Sequence, residues 1–320
     1  MPKVVITDHE FPHLKAEEKA AAEAGAELVV DQVTDEASVI ALTRSADVVM
    51  LCYAPITEAV LAGLNPGAVV IRYGIGYDTI DVEAATRLGV RVCNVPDYGA
   101  ATVADHTVML MLSVLRRVAE FDAAIRQAPD GWAVAARSAS IPALSDITVG
   151  LVGTGQIGRL VAARVQAFGS RVVAHDPYAD AGVLAGEGIR LAPLAEVLES
   201  ADVLSLHAPL NASTHYLLDA EALRRTKPGT IVVNTARGGL MDTRAAAELV
   251  TEGHLGGLGL DVFETEPLEA GHPLRTAPRT LLTPHAAFYS ERSLINLQQY
   301  AADEMKRACL GETLRCQVNR

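Results

Sequence analysis

The sequence has few aromatic residues: phenylalanine, tryptophan and tyrosine make up 4% of its 320 residues, although half of all residues are apolar. A core built mainly from alanine, valine, leucine and isoleucine suits helices packed on parallel strands. The sequence also lacks any run of basic residues, and its formal net charge is −12. A protein with this charge has no basic surface that would bind nucleic-acid phosphates or anionic lipid, so we expect neither as a partner.

Cysteine is sparse as well. The four cysteines, Cys52, Cys93, Cys309 and Cys316, show no Cys-x-x-Cys spacing and have no histidine-rich pattern near them. This scatter excludes a disulfide framework and a metal site of the zinc-binding kind. We expect reduced thiols, no bound metal and a cytoplasmic protein.

No apolar run is long enough to span a membrane. The strongest, "VMLMLSVL" at 108–115, covers less than half of a span, and Asp8 and Glu10 interrupt the first residues before the apolar region of a signal peptide could form. We expect a protein without a membrane segment or a cleaved leader.

The length of the chain predicts two domains, because a single hydrophobic core of 320 residues would be unusually large. The first hundred residues alternate β-branched runs with helical patterns, which predicts a parallel sheet with right-handed crossovers. The predicted strands are 3–7, 26–30, 47–51, 68–72 and 90–95.

A second series of apolar runs begins near residue 148. Six strands in α/β alternation match the sheet of dinucleotide-binding proteins. These strands are predicted at 148–153, 171–176, 202–207, 229–234, 256–261 and 280–284.

Two long periodic segments flank this second series. The stretch 100–126 has the length and spacing of one helix that crosses between domains or packs against a partner subunit. The amphipathic stretch 290–311 follows the last strand, and we expect it to return to the first domain. We therefore predict an α/β fold of two doubly wound parallel-sheet domains, 1–98 plus 290–320 and 99–289, with a cleft between them.

A glycine pattern marks the start of the second series. Gly153, Gly155 and Gly158 follow a predicted strand and open a predicted helix, the context in which a G-x-G-x-x-G pattern is informative. The first glycine permits a tight turn, the second lets the backbone approach a pyrophosphate, and the third allows close helix packing. The positive end of the helix that starts near Gln156 and Ile157 would bind the pyrophosphate without a basic side chain.

Asp176 ends the next strand at the expected distance from the glycines. There a carboxylate can accept hydrogen bonds from a ribose 2′-hydroxyl and would repel a 2′-phosphate. With no arginine beside it, the position favours NAD over NADP. The alternative is a glycine turn that only packs tightly.

Three chemically capable side chains follow three successive predicted strands: Arg237, Glu266 and His285. Ligands bind outside the carboxyl ends of strands in open α/β sheets. Reduction of a 2-keto acid requires a hydride donor, a proton donor and a cation that holds the carboxylate. NADH, His285 and Arg237 could supply these, with Glu266 orienting the histidine and stabilising its imidazolium form.

Each of the three residues has an ordinary explanation when taken singly. His285 could be a packed histidine, Arg237 a surface ion pair and Glu266 a solvated loop acid. Their places at three consecutive strand ends beside a dinucleotide motif favour the chemical interpretation.

Together, "GLVGTGQIG", "LHAPLNAST", "VVNTARGGLMD", "LDVFETEP" and "TPHAAFYSERS" resemble the D-isomer-specific 2-hydroxyacid dehydrogenase family across nearly the whole chain. The resemblance implies an NAD-binding Rossmann domain inserted in a flavodoxin-like substrate domain. It also implies that Arg237, Glu266 and His285 are catalytic. The further cofactor contacts that it implies are His207, Pro209, Thr214, Thr235, Ala236 and Asp261.

The same resemblance places the substrate in the first-domain loop "RYGIGYDTID". The backbone N–H groups of Tyr73, Gly74, Ile75 and Gly76 would hold the substrate carboxylate, with Arg72 as an additional clamp.

The motifs "CNVPDYGAATVAD" and "TPHAAFYSE" look most similar to the C-terminal binding protein-like bacterial branch, which has tryptophan at the position of Phe288. D-lactate-type members resemble the chain there too, with phenylalanine at that position and tyrosine at the position of Tyr98. Phe288, Tyr53 and Tyr98 would form apolar walls suited to a small or medium substrate side chain, or would pack at a hinge.

We therefore expect an NAD-dependent D-2-hydroxyacid dehydrogenase that acts as a homodimer on a small 2-keto or 2-hydroxy acid. Two alternatives remain open at this point. One is an NADH-sensing scaffold of the corepressor kind with vestigial turnover, and the other is a dehydrogenase for phosphite or a phosphonate.

Overall fold

The computed structural model describes residues 1–127, 132 and 141–319. The chain forms two compact units. Unit 1 comprises Met1–Gly99 and Tyr289–Arg320, and unit 2 comprises Ala100–Phe288, so unit 2 is inserted in the sequence of unit 1. Within residues 1–127 and 141–319, no helix combines the length and apolar composition needed to cross a membrane.

Unit 1 contains a five-stranded, wholly parallel sheet in the order β2-β1-β3-β4-β5. This is the flavodoxin-like order, in which the chain reverses direction across the sheet after the second strand. The strands are β1 (Lys3–Ile6), β2 (Glu27–Val30), β3 (Val48–Leu51), β4 (Val69–Arg72) and β5 (Arg91–Cys93). The helices are α1 (Lys15–Glu23), α2 (Glu36–Thr43), α3 (Glu58–Leu61), α4 (Val82–Arg87) and, from the second segment, α12 (Glu291–Leu310).

Unit 2 contains a seven-stranded parallel sheet in the order β12-β11-β10-β9-β6-β7-β8. The strands β8-β7-β6-β9-β10-β11 follow the dinucleotide-binding order, and β12 is added at the edge beside β11. The strands are β6 (Thr148–Val152), β7 (Arg171–His175), β8 (Ile189–Leu191), β9 (Val203–Leu206), β10 (Ile231–Asn234), β11 (Gly257–Leu260) and β12 (Thr280–Leu282). The helices are α5 (Ala100–Leu115), α6 (Val118–Gln127), α7 (Gln156–Ala167), α8 (Ala181–Gly186), α9 (Leu194–Ser200), α10 (Ala220–Arg224) and α11 (Thr243–Glu252).

The predicted fold class is confirmed: both sheets are parallel and helices alternate with strands in each. The prediction of six strands in the second series is wrong, because it missed β8 (Ile189–Leu191), which pairs with β7 at one edge of the sheet. This strand is only three residues long, and residue 190 in its middle is an exposed arginine, so its sequence carries no apolar run.

The single helix predicted over 100–126 is also wrong. The structure divides this stretch into α5 and α6, and between them Arg117 has a φ of +55°. A left-handed residue ends a helix, and hydrophobic periodicity does not reveal it. Helix α5 packs within unit 2 on α7 and on strands β10 and β11.

Helix α12 packs in unit 1 against α1 and against strands β3 and β4. Ser290 caps its start by accepting a hydrogen bond from the backbone N–H of Ser293, and Gly311 ends it with a φ of +69°. Its buried face includes Leu297, Ala301 and Met305. This apolar face explains why the helix covers the first sheet.

Candidate active site

The three predicted catalytic residues follow three neighbouring strands at one edge of the unit 2 sheet. Strand β11 lies between β10 and β12, and Leu260 is in register with Asn234 on one side and Leu282 on the other. Because parallel strands present their carboxyl ends at the same edge, the loops that carry Arg237, Glu266 and His285 begin side by side.

His285 and Glu266 form a hydrogen-bonded pair. The Nδ1 atom of His285 lies 2.7 Å from Oε2 of Glu266, and the two side chains are 28% and 33% exposed. The other carboxylate oxygen of Glu266 accepts the backbone N–H of Phe263 at 2.9 Å. Among the described residues, none pairs with Nε2 of His285, so the free ring nitrogen is available to a substrate.

The charge state of Glu266 follows from these contacts. Burial alone would raise the pKa of this carboxyl, and the hydrogen bond and charge of His285 oppose burial. The amide of Phe263 and the positive charge of Arg237 also lower it, and together these four contributions bring the pKa below its ordinary value. Glu266 is therefore a carboxylate at neutral pH, which is the form that stabilises a protonated histidine.

The backbone of His285 is held in an uncommon conformation, with a φ of +53°. Its N–H donates to the carbonyl oxygen of Asp261 at 2.7 Å. The fully buried carboxylate of Asp261 accepts the N–H groups of Ala286 and Ala287 at 2.9 and 2.8 Å, and the hydroxyl of Thr283 at 2.5 Å. One acidic residue thus fixes the whole turn that presents His285.

Arg237 is positioned by the buried side chain of Asn234, the last residue of β10. The amide nitrogen of Asn234 donates to the carbonyl oxygen of Arg237 at 2.8 Å, and its amide oxygen accepts the N–H of Ala236 at 3.0 Å. These two bonds bend the chain back on the strand end. The guanidinium of Arg237 donates to the carbonyl oxygen of Ala236 at 2.8 Å.

Gly238 brings the arginine loop against the glutamate loop. A Cβ atom on Gly238 would lie 1.9 Å from the carbonyl carbon of Phe263. No side chain fits at this distance, so the position requires glycine. Since the amide of Phe263 donates to Glu266, this contact fixes the spacing between the segments that carry Arg237 and Glu266.

The glycine motif has the geometry expected of a dinucleotide site. Gly153 has a φ of +95°, and a Cβ on Gly158 would lie 2.4 Å from the carbonyl oxygen of Gly153. A Cβ on Gly155 would meet nothing within 4 Å, so open space lies in front of it. Within the described residues, no acceptor pairs with the backbone N–H groups of Gly155, Gln156 and Ile157 at the start of α7. These free donors beside open space suit a pyrophosphate.

Asp176 is tied to the same turn. One of its carboxylate oxygens accepts both the N–H and the hydroxyl of Thr154 at 2.8 Å, and the other accepts the N–H of Tyr178 at 3.0 Å. Burial would raise the pKa of Asp176, but these hydrogen bonds lower it below its ordinary value. An ionised, oriented carboxylate just past β7 fits a ribose diol and would repel a phosphate.

The other predicted cofactor contacts lie on neighbouring loops of unit 2. His207 follows β9, its Nε2 lies 2.9 Å from the hydroxyl of Ser205, and burial lowers its pKa to about 4, so the ring is neutral. The hydroxyl of Thr214 donates to the carbonyl oxygen of Pro209 at 2.6 Å. The hydroxyl of Thr235 lies 2.7 Å from that of Thr107 on α5. Their contacts with a cofactor stay predictions.

The predicted substrate loop lies in unit 1, after β4. The N–H groups of Gly74, Ile75 and Gly76 have no acceptor among the described residues. The guanidinium of Arg72 lies over Gly74, where a Cβ would be 1.7 Å from Nη1, and Gly74 has a φ of +129°. The arrangement leaves three amides and a cation grouped at one strand end.

The assignment of Tyr73 to this set is wrong. Its backbone N–H donates to the carbonyl oxygen of Leu51 at 2.8 Å, so it continues the sheet and is not available to a carboxylate. Its side chain is 2% exposed, and its hydroxyl donates to Glu17 at 3.1 Å. Tyr73 therefore anchors the loop from within the core.

The predicted aromatic walls have different surroundings. Tyr53 in unit 1 is 42% exposed, and its hydroxyl donates to Glu10 at 3.2 Å. Tyr98, also in unit 1, is buried, and its carbonyl oxygen accepts the side-chain amide of Asn296. Phe288 in unit 2 packs edge-on against the ring of His285, with the ring centroids 6.4 Å apart.

Sequence reasoning missed several residues that hold this site: His106, Asn234, Gly238 and Thr283. One signal was available for His106, because the polar run Asp105, His106 and Thr107 interrupts a mostly apolar helix. Thr107 contacts Thr235, and Nε2 of His106 lies 3.0 Å from the hydroxyl of Thr283.

Comparison with known proteins agrees with this geometry. Residues 108–287 match the model of the family described as D-isomer specific 2-hydroxyacid dehydrogenase, NAD binding domain. The D-3-phosphoglycerate dehydrogenases of Mycobacterium leprae (strain TN) and Mycobacterium tuberculosis (strain ATCC 25618 / H37Rv) are each 38% identical over 286 residues. The match covers 89% of this chain and 53% of each relative, so the chain spans about half the length of these curated relatives.

Solved structures cover the whole chain. The TT0316 protein from Thermus thermophilus is 34% identical with a TM-score of 0.83, and the match covers 99% of both chains. A D-lactate dehydrogenase from Aquifex aeolicus, solved with NAD and lactic acid, is 26% identical with a TM-score of 0.84, covering 97% of this chain and 96% of that one.

These matches include the segments that carry the glycine turn of Gly153–Gly158 and the pair of His285 and Glu266. Residues 108–287 form the NAD-binding domain of the matched family. The chain therefore belongs to the D-isomer specific 2-hydroxyacid dehydrogenase family.

Proposed function

We propose that the protein is an NAD-dependent dehydrogenase that interconverts a 2-keto acid and the corresponding D-2-hydroxy acid. The observation that carries this proposal is the pair of His285 and Glu266 at the strand edge that also carries Arg237. A protonated imidazole with one free nitrogen, held by a carboxylate and set near a cation, provides a proton and an anchor for the substrate.

The residues would act as follows during reduction. Arg237 binds the substrate carboxylate and polarises the carbonyl group, and Nε2 of His285 donates a proton to the carbonyl oxygen. Bound NADH supplies the hydride. Glu266 stays ionised and stabilises the imidazolium before transfer. In the oxidation direction His285 accepts the proton, so that the reaction balances as keto acid, NADH and a proton against hydroxy acid and NAD⁺.

The cofactor and substrate assignments rest on separate features. The free amides at the start of α7 support binding of a dinucleotide, and the carboxylate of Asp176 favours NAD over NADP. The unpaired amides of Gly74, Ile75 and Gly76 support carboxylate binding in unit 1. The whole protein's substrate, a small 2-keto or 2-hydroxy acid, is part of the proposal.

We also propose a homodimer in the cytoplasm, with no nucleic acid or membrane as a partner. Helix α6 buries no residue, and Val118 and Ile125 on it and Met109 on α5 are 52%, 47% and 42% exposed. An apolar helix face of this kind supports a subunit contact. The four cysteines are free thiols, which suits a reducing compartment.

The decisive assay follows NADH absorbance with glyoxylate, pyruvate, and branched, aromatic and phosphono keto acids, with NADPH in parallel. We expect turnover of at least one keto acid to a D-configured product. His285→Ala should lower kcat by about 100- to 10,000-fold, with the NADH dissociation constant unchanged.

The matched control is His13→Ala, which removes an exposed histidine of unit 1 and should leave kcat as in the wild type. NADH binding without turnover of any keto acid, or equal losses of kcat and NADH affinity in His285→Ala, would contradict the proposal. Light scattering of the wild type and of Ile125→Asp tests the dimer, which the variant should weaken.

A further inference from the structure

A chain of hydrogen bonds inside unit 2 leads from helix α5 to the turn that carries His285. The Nε2 atom of His106 lies 3.0 Å from the hydroxyl oxygen of Thr283, and that hydroxyl lies 2.5 Å from Oδ1 of Asp261. The imidazole of His106 is 19% exposed, and the side chain of Asp261 is 1% exposed. This chain of hydrogen bonds is therefore largely shielded from water. In such surroundings hydrogen bonds are strong, and a polar group that loses its partner is costly.

The chemistry of the three groups fixes the direction of these bonds. The carboxylate of Asp261 already accepts two backbone N–H groups and has no hydrogen to donate, so the hydroxyl of Thr283 donates to it. The single hydroxyl hydrogen is then used, and Thr283 can only accept from His106. Nε2 of His106 must therefore carry a hydrogen.

The turn at His285, which these hydrogen bonds hold, has a strained backbone. His285 has a φ of +53°, a conformation that an L-residue adopts rarely and at an energetic cost. Such a conformation persists only where neighbouring groups over-determine it. Here Asp261 supplies those groups, and Thr283, two residues before His285, connects Asp261 to the helix.

We infer that His106 and Thr283 are positioning residues that hold Asp261, and through it the turn, so that His285 keeps its reactive placement. Glu266 orients the ring from one side, while the chain from His106 fixes the backbone from the other. This inference rests on the proposed function, because it assigns the consequence of the chain to proton transfer by His285.

The test compares four variants with the wild type. Thr283→Val keeps the shape of the side chain but removes the hydroxyl, and Thr283→Ser restores it. His106→Leu removes the donor, and His106→Gln offers an amide N–H in its place. The control is Thr251→Val, because among the described residues the hydroxyl of Thr251 bonds only the carbonyl oxygen of Ala247 in its own helix, at 2.7 Å.

We expect Thr283→Val and His106→Leu to lower kcat by about 10- to 100-fold, since a displacement near 1 Å costs that much in a positioned reaction. The solvent deuterium isotope effect on kcat should rise, because proton transfer from a displaced His285 becomes slower. Thr283→Ser and His106→Gln should recover most of the lost kcat.

A purely structural role would have a different signature. The midpoint of thermal unfolding would fall with kcat, while the isotope effect stayed at the wild-type value, and this result would overturn the inference. Thr283→Val and His106→Leu with wild-type kcat would overturn it as well. Failure of the proposed function looks different again, since the wild-type protein itself would then reduce no 2-keto acid.

Discussion

The imidazole of His285 and the carboxylate of Glu266 meet at 2.7 Å although 19 residues separate them in the sequence. Glu266 follows β11 and His285 follows β12, and these two parallel strands are neighbours. Leu258 pairs with Thr280 and Leu260 pairs with Leu282. The register of two strands, rather than any local motif, thus determines the geometry of the pair.

The pair predicts a specific effect of Glu266→Gln. Glutamine keeps the size of the side chain but removes the negative charge that stabilises imidazolium, so reduction of a keto acid at pH 7 should slow by about 100-fold. Stopped-flow measurement of NADH oxidation checks this. Glu269→Gln, which removes an exposed carboxylate paired with Arg244, is the matched control and should retain wild-type rates.

The pH dependence of the same carboxylate has a defined sign. The pKa of Glu266 is lowered in the folded protein, so its pairing contributes stability above the ordinary value of 4.5 and loses that contribution as pH falls through the lowered pKa. A loss of activity between pH 7 and 5 should therefore not arise from protonation of Glu266.

The close contact at Gly238 predicts the effect of the substitution Gly238→Ala, which adds one methyl group. Gly238→Ala would force the arginine loop away from Phe263, because no Cβ fits at 1.9 Å from its carbonyl carbon. We expect the free energy of unfolding to fall by about 1–3 kcal/mol and kcat to fall by at least tenfold.

Chemical denaturation and steady-state assays measure the two effects of Gly238→Ala. Gly186→Ala serves as the control, since a Cβ there meets nothing within 4 Å. Its free energy of unfolding should stay within about 0.5 kcal/mol of the wild type. Wild-type kcat in Gly238→Ala would show that the spacing of the two loops does not matter.

Two glycines of the cofactor motif should respond differently to alanine. Gly158→Ala would place a Cβ 2.4 Å from the carbonyl oxygen of Gly153, so it should lower the free energy of unfolding by about 1–3 kcal/mol. Gly155→Ala meets open space and should cost no more than about 1 kcal/mol, the scale of a changed helix cap.

NADH binding separates the two variants further. A methyl group on Gly155 would occupy the space proposed for the pyrophosphate, so the dissociation constant of NADH should rise by about tenfold or more. Calorimetric titration of the folded protein measures it. Unchanged affinity in Gly155→Ala would place the pyrophosphate elsewhere.

Much of the fold was predictable because its strands are short apolar runs bounded by turns. All eleven predicted runs contain a strand of the structure, and each runs only one to three residues longer than the strand that it contains. The missed strand β8 has three residues, among them an exposed arginine, and is defined by pairing with β7 rather than by its own composition. The break at Arg117 is one backbone angle, which a pattern of side chains does not encode.

The candidate site was predictable to the extent that chemistry is visible in residue type. Arg237, Glu266 and His285 stand out because charged groups follow apolar strands. The support for them was not visible. Asn234 acts through bonds to Ala236 and Arg237 in its own turn, which residue type alone does not reveal. Thr283 and His106 act through bonds to residues distant in sequence, which depend on the folded arrangement. The error at Tyr73 has the same origin, since pairing with Leu51 uses its N–H.

His207 predicts a pH dependence of stability. Burial lowers its pKa from an ordinary value of 6.5 to about 4, so between these two values the unfolded chain binds more protons than the folded protein. Stability should therefore decrease as pH falls from about 6.5 to 4 and should not depend on His207 above that window. Urea unfolding at pH 7 and pH 5 should show a smaller difference in His207→Gln than in the wild type.

The place of α12 in unit 1 has a consequence during synthesis. The five strands of the first sheet leave the ribosome before any residue of unit 2, yet the helix that covers β3 and β4 follows unit 2 in the sequence. Until residues 291–310 emerge, the face that receives Leu297, Ala301 and Met305 stays uncovered, and Glu17 lacks its contact with Gln298. The nascent first unit should therefore complete its folding only after α12 has been synthesised, and should need a chaperone to protect its uncovered face until then. The inserted unit should fold by itself.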